Sequence, residues 1–176
     1  SVGFSIGDKG YIGTGRTSIV GNAETWKKDF WEYNPLTDIW TQKADFGGTP
    51  RNFAVGFSLG DKGYLGTGYN YVNPSEDYHL KDFWEYNPLT DIWTQKADFG
   101  GGERTLAVGF SIGDKGYIGT GVVGTILNNE SKKDFWEYNP LTNIWTQKAD
   151  FGGENRYSSV GFSIGDKGYI GTGRTS

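Results

Sequence analysis

The chain holds 176 residues, 29 of them glycine and 29 aromatic, with no cysteine and no methionine; that composition departs from an average globular domain and is too aromatic for a disordered one. The missing cysteines exclude a disulfide framework, Cys-ligated zinc and a thiol nucleophile, and a single histidine, His79, argues against a multi-His metal site or a Ser/His triad. A net charge of −4 without a long like-charge block speaks against nucleic acid or an anionic membrane as partner, and no apolar run approaches the roughly 18 residues of a membrane span.

No leader pattern opens at Ser1, and the absent initiator methionine is expected of a processed chain or a fragment. The compartment stays open, and secretion is compatible with the chain. Asn129-Glu130-Ser131 is a glycosylation sequon that carries meaning only in a secreted eukaryotic setting.

Internal repetition decides the organisation. The string VGFSIGDKGYIGTG begins at Val2, returns with two leucines for isoleucines at Val55, and recurs unchanged at Val108 and Val160, spacings of 53, 53 and 52 residues. A second string, KDFWEYNPLTDIWTQKADFGG, starts at Lys28 and Lys81 and recurs at Lys133 with Asn143 in place of Asp38 and Asp91. The unit is present three times, at 1–50, 51–103 and 104–156, and residues 157–176 open a fourth copy.

Each unit predicts four short strands. In the second, AVGFSLG from Ala54 alternates small or polar with apolar residues, and Asp61-Lys62 between two glycines signals a tight hairpin. GYLGTG from Gly63 returns. KDFWEYN from Lys81 is too aromatic and β-prone for a loop, and Pro88-Leu89-Thr90 turns the chain with Asn87 available for an Asx bond. DIWTQKAD from Asp91 is the fourth strand, with Ile92 and Thr94 on one face and Trp93 on the other. Nothing in the chain has a convincing helical period.

A strand ending in glycines after a tyrosine (GYIGTG), a later WEYNPLTDIW segment, and Arg51, Arg104 or Arg156 at the start of the next strand together resemble the kelch repeat. The Gly-Thr-Gly replaces that family's usual glycine pair. The resemblance implies an all-β β-propeller of four-stranded kelch-like blades, three full blades per chain plus a terminal hairpin. Three blades leave two apolar faces and an open channel wall, and apolar burial is worth roughly 25 cal/mol per Å². The expected partner is therefore the chain itself, two copies making a six-bladed ring. Because residues 159–176 repeat 1–18 without change, two hairpins compete for one place in that ring; a piece of a longer array and an open filament are the other readings.

Comparing the copies locates the diversity. The framework is almost invariant, whereas residues 16–27, 69–80 and 122–132, and the blade connections 49–54, 102–107 and 154–159, diverge freely. In an up-and-down blade these segments share one face, and the invariant Gly-Asp-Lys-Gly and Asn-Pro-Leu-Thr turns share the other. All five arginines lie in variable segments. Variable loops on a rigid scaffold are where specificity resides, so the expected function is a non-catalytic binding or scaffold unit; near-identical units also suit a designed or recently duplicated protein that self-assembles. Candidate ligand-binding residues are Arg51, Arg104 and Arg156 as a ring around the channel mouth, with Arg16, Trp26, Tyr69, Tyr71, Tyr78 and His79. The resemblance implies an acidic peptide as ligand, since mouth arginines of peptide-capturing kelch domains hold acidic side chains, and the exposed aromatics would equally suit a carbohydrate. Arginines tied to neighbouring carboxylates are the competing reading, as is Trp26 packed near Phe30; the framework tryptophans read as blade-to-blade core.

No cofactor, metal or catalytic residue is assigned. Copper-using kelch oxidases need Cys, His and Tyr ligands, which this chain does not supply. The aspartates of Gly-Asp-Lys-Gly are turn formers. The alternative function is a kelch enzyme that interconverts sugar anomers, a mutarotase or epimerase, with Glu103, Glu154 and His79 as acid/base groups beside an arginine.

Overall fold

The computed structural model describes residues 1–17, 25–70, 78–124 and 129–175. The first unit holds β1 (Val2–Ile6), β2 (Lys9–Thr17), β3 (Thr25–Asn34) and β4 (Ile39–Lys43). The second holds β5 (Val55–Leu59), β6 (Lys62–Gly66), β7 (Tyr69–Asn70), β8 (Tyr78–His79), β9 (Phe83–Asn87) and β10 (Ile92–Lys96). The third holds β11 (Val108–Ile112), β12 (Lys115–Gly119), β13 (Val122–Gly124), β14 (Asn129–Ser131), β15 (Phe135–Asn139) and β16 (Ile144–Lys148), followed by β17 (Val160–Ile164) and β18 (Lys167–Gly171). They form three antiparallel four-stranded blades, β1-β2-β3-β4, β5-β6-β9-β10 and β11-β12-β15-β16, and a two-stranded hairpin, β17-β18. The inner strands β1, β5, β11 and β17 stand side by side and line a shared channel.

Two expectations shift. Leu59 pairs with Lys62, so the hairpin loop is Gly60-Asp61 and not Asp61-Lys62. Gly60 at φ 60° takes the first central position that a type II′ turn reserves for glycine. The segments expected as plain loops build extra ribbons, β7-β8 and β13-β14; in the first blade β2 and β3 run on past an irregularity between Gly13 and Gly15. The Asn-Pro-Leu-Thr turn closes as expected: Asn87 Oδ1 accepts from the Leu89 N–H at 3.0 Å, as Asn34 and Asn139 do in their blades.

Alternation along each strand gives a blade two different faces. Val55, Phe57 and Leu59 point toward the following blade and are buried, while Gly56 and Gly63 face the preceding one and leave room for the Phe4 ring. Larger aromatics repeat this farther out: Phe30 of the first blade packs on Tyr86 and Trp93 of the second, and Phe83 on Tyr138 and Trp145 of the third, all with centroids 4.9 or 5.0 Å apart. Trp84, Trp93, Trp136 and Trp145 are thus seam residues, as expected of framework tryptophans. Trp40 is not, being 51% exposed.

Each seam is also stitched by polar bonds. The Ala44 N–H donates to Asp91 Oδ1 at 3.0 Å, the Tyr86 hydroxyl to the same oxygen at 2.7 Å, and Trp93 Nε1 to the Ala44 carbonyl at 3.2 Å. Burial works to raise the Asp91 pKa, but these bonds and the charge of Lys43 outweigh it and hold the carboxyl below its usual 3.8. A depressed folded pKa stabilises the fold above the unfolded value, and that contribution is lost as pH falls through the folded one. At the next seam Asn143 does the same work uncharged, accepting from the Ala97 N–H and the Tyr138 hydroxyl at 2.9 Å each. Asp91→Asn is therefore expected to leave stability at pH 7 within about 1 kcal/mol of wild type. It should flatten the decline below about pH 4, read from urea midpoints at successive pH values; an unchanged acid limb would absolve Asp91.

Candidate functional site

Arg51 and Arg104 are 0% and 1% exposed. Arg51 grips Asp82 with both prongs of its fork, Nη1 to Oδ1 at 2.6 Å and Nη2 to Oδ2 at 2.7 Å, and Nη1 also donates to the Thr67 carbonyl at 3.0 Å. Arg104 repeats this on Asp134, at 2.6 and 2.9 Å, and on the Thr120 carbonyl at 2.7 Å. A tryptophan two residues on fixes each carboxylate from the other side, Trp84 Nε1 and Trp136 Nε1 both at 2.7 Å. Burial tends to raise the Asp134 pKa, and the bonds from Arg104 and Trp136 override it and keep the carboxyl ionised below its usual 3.8. The expected solvent-facing arginine ring thus fails at two of its three members. A guanidinium sunk in the wall between blades must be paired, and an aspartate lies there to pair it. Arg156 donates to the Glu154 and Thr172 carbonyls at 3.2 and 2.9 Å and has no carboxylate partner among the described residues.

Two residues after each arginine, Phe53, Leu106 and Ser158 turn the chain at φ 53°, 56° and 53°. The Leu106 N–H donates to the Phe53 carbonyl at 3.2 Å and the Ser158 N–H to the Leu106 carbonyl at 3.0 Å, a run of backbone bonds along the channel mouth. Asn52 pairs with Tyr69 and Thr105 with Val122, so the two variable segments meet on one face. Below the mouth, a cavity of about 290 Å³ is walled by Ser, Ala, Val and Gly of the inner strands and offers no acidic or basic side chain. The variable segments meet above it on the loop face.

That face holds a second cavity, of about 200 Å³, between the second and third blades. Phe53, Leu106 and Val122 form its apolar wall, and Tyr69, His79 and Thr105 its polar one. Within it His79 Nδ1 and Thr105 Oγ1 are buried without a hydrogen-bond partner among the described residues. Buried polar atoms are normally satisfied, and two of the seven such orphans among the described residues border this cavity, where a polar ligand can meet them. The His79 ring stands edge-on to Tyr69 at 5.5 Å, and Tyr69 edge-on to Trp26 at 5.8 Å. The Arg16 guanidinium lies 5.8 Å over Trp26.

The remaining sequence candidates divide. Trp26 packs on Tyr69 of the next blade, and not near Phe30 alone, because the prolonged β2-β3 ribbon carries it outward opposite Arg16. Tyr78 pairs through its backbone with Asn70, and Tyr71 lies outside the described residues. Glu103 and Glu154 are exposed on blade connections, and the carboxylates that pair with Arg51 and Arg104 are Asp82 and Asp134. Sequence reasoning passed over those aspartates, although each sits two residues before a tryptophan in a string found in every unit. It also passed over Thr105. Among the described residues no cluster of acidic, His or Cys side chains is arranged to hold a metal.

No family model matches the chain. Over 115 residues it is 32% identical to N-acetylneuraminate epimerase of Pasteurella multocida (strain Pm70), a stretch that covers 65% of this chain and 28% of that protein. The structure of YjhT superposes at a TM-score of 0.78 with 19% identity, covering 96% of this chain and 55% of that one. The chain thus spans about a quarter of the curated relative's length and about half of the solved one. The superposition shows a β-propeller fold. The likeness to an epimerase overturns the expectation of a non-catalytic binding or scaffold unit and favours the sugar-converting alternative. Loop variability is shared by binders and enzymes, so it never discriminated between them.

Proposed function

We propose that the chain is a kelch-type propeller segment of an enzyme that interconverts forms of an acidic amino sugar of the N-acetylneuraminate class. The 32% identity over 115 residues to an enzyme named for that substrate carries the reading. The loop-face cavity supports it.

Exchange at the anomeric carbon needs one group to take the anomeric hydroxyl proton and one to protonate the ring oxygen as the carbon–oxygen bond breaks. Rotation of the freed carbonyl and reclosure reverse both transfers, so atoms and electrons balance without a cofactor. An imidazole can give and take a proton near neutral pH, and His79 is the histidine of this chain, with Nδ1 unpartnered among the described residues beside the cavity. The Thr105 hydroxyl is available to a sugar hydroxyl, and Phe53 and Leu106 offer apolar surface to ring C–H groups. Trp26 and Tyr69, with Arg16 over Trp26, continue the surface for the rest of the sugar.

Proton NMR of freshly dissolved N-acetylneuraminate reads the exchange directly. The chain is expected to speed anomer equilibration above the buffer rate, and His79→Ala to lower that gain about 100-fold, the small end of general acid–base contributions. Equilibration at the buffer rate in the presence of folded chain would overturn the proposal.

A further inference from the structure

The two seams inside the chain are built alike, and the chain's two outer faces carry the halves of a third. At each internal seam a phenylalanine of the inner strand fills a slot between two glycines: a Cβ on Gly63 would lie 2.5 Å from the Phe4 ring, and one on Gly116 2.6 Å from Phe57. Farther out, Phe46 is clamped by Trp84 and Trp93 at 5.8 and 5.0 Å, and Phe99 by Trp136 and Trp145 at 6.2 and 5.0 Å. The Ala–Asp or Ala–Asn bond and the Arg–Asp pair complete each seam.

The first blade displays the receiving half, unfilled. A Cβ on Gly10 would meet nothing nearer than the Tyr33 Cβ at 3.9 Å. Ile12 is 47% exposed, whereas Leu65 and Ile118 at the same repeat position are 0% exposed. Asp29 accepts from Trp31 Nε1 at 2.8 Å, as its counterparts do from theirs, with no arginine paired to it among the described residues.

The third blade displays the inserting half. Phe151 has no tryptophan against it, and a Cβ on Gly152 would meet nothing within 4 Å where Gly47 and Gly100 would strike tryptophans at 2.7 Å. Arg156 lies 4.5 Å over Phe151, poised like Arg51 over Phe46 at 4.7 Å, but without the carboxylate. A cavity of about 440 Å³ opens beside Phe110, Phe135 and Phe151. The hairpin β17-β18 covers only the inner part of this face, where Gly161 and Gly168 receive Phe110.

We propose that a second copy of this chain docks here, its first blade seating against the third blade of its partner and releasing the hairpin β17-β18, so that two such seams close a ring. Residues 1–18 match residues 159–176 without change, so the incoming β1-β2 reproduces each contact the hairpin makes. The incoming β3-β4 then adds what the hairpin lacks: Trp31 and Trp40 for Phe151 and Gly152, Asp29 for Arg156, and Asp38 for the Ala149 N–H. The charges are complementary, and the β2-β3 pairing, which resumes past the irregularity between Gly13 and Gly15 and runs to Thr17 and Thr25, delivers the four strands as one body. A head-to-tail contact either closes or propagates. Closure at two is supported by the superposition, in which this chain covers 55% of a solved propeller.

Light scattering on the full chain tests the ring without any sugar, and so independently of the proposed activity. The expected mass is twice 19.4 kDa. Gly152→Leu starts from a position where an added Cβ meets nothing within 4 Å of its own chain, blocks the incoming tryptophans, and is expected to halve the mass with unchanged circular dichroism. Arg156→Asp should also halve it, and Arg156→Asp combined with Asp29→Arg should restore it. A wild-type mass of one chain, a mass that climbs without limit, or a Gly152→Leu chain that keeps the doubled mass would each overturn the proposal.

Discussion

Replacing Arg104 with alanine is expected to destabilise the fold by about 3–5 kcal/mol, the range for breaking a buried ion pair from one side. The substitution strands the Asp134 carboxylate, only 20% exposed, and leaves the buried Thr120 carbonyl without its donor. Asp134 is solvated enough to keep the loss toward the lower end. With the guanidinium gone, burial dominates Asp134 and its pKa rises, so the deficit against wild type shrinks as acid protonates the carboxyl. Arg104→Lys restores the charge without the two-pronged fork and should recover only part of the stability. Urea unfolding followed by tryptophan fluorescence measures all three chains. A loss under about 1 kcal/mol, the scale of an exposed ion pair, would show that Arg104 is not the strut described.

Phe83→Ala should cost a similar amount, about 3–5 kcal/mol, for a different reason. The Phe83 ring is 0% exposed and lies in a stack with Tyr64 at 5.5 Å, Tyr138 at 5.0 Å and Trp145 at 5.0 Å. Its removal opens a cavity bounded by two blades, neither of which can collapse without dragging its own sheet. Leu89→Ala is the control: that leucine tops the Asn-Pro-Leu-Thr turn at 86% exposure, and its loss should stay within about 0.5 kcal/mol. Equal urea midpoints for the two variants would refute the account of the seam.

Strand content was legible because it rests on local alternation: Val55, Phe57 and Leu59 announce a buried face with no knowledge of what they meet. The glycine slots were not, since the role of Gly63 depends on a ring from a residue 59 positions earlier, Phe4. The same limit misplaced the arginines. Arg51 and Arg104 stand at the start of an inner strand, where a mouth is expected, but the aspartates that claim them lie 31 and 30 residues onward in a framework string. The site was legible in part: His79 and Tyr69 were named for the face they occupy, whereas Thr105 carries no local signal and enters only because its strand position borders the cavity. Charge pairing over some 30 residues is a three-dimensional property, and repetition conceals it by making every copy look alike.

The exchange of aspartate for asparagine at position 143 gives this near-uniform array an internal direction. The seam between the first two blades is held by a group that titrates, Asp91, and the next by one that does not, Asn143. Acid therefore acts on a carboxyl at the first joint that the second joint lacks, over and above the Arg–Asp pair that both share. A single atom, oxygen or nitrogen, makes two otherwise matching joints answer acid differently.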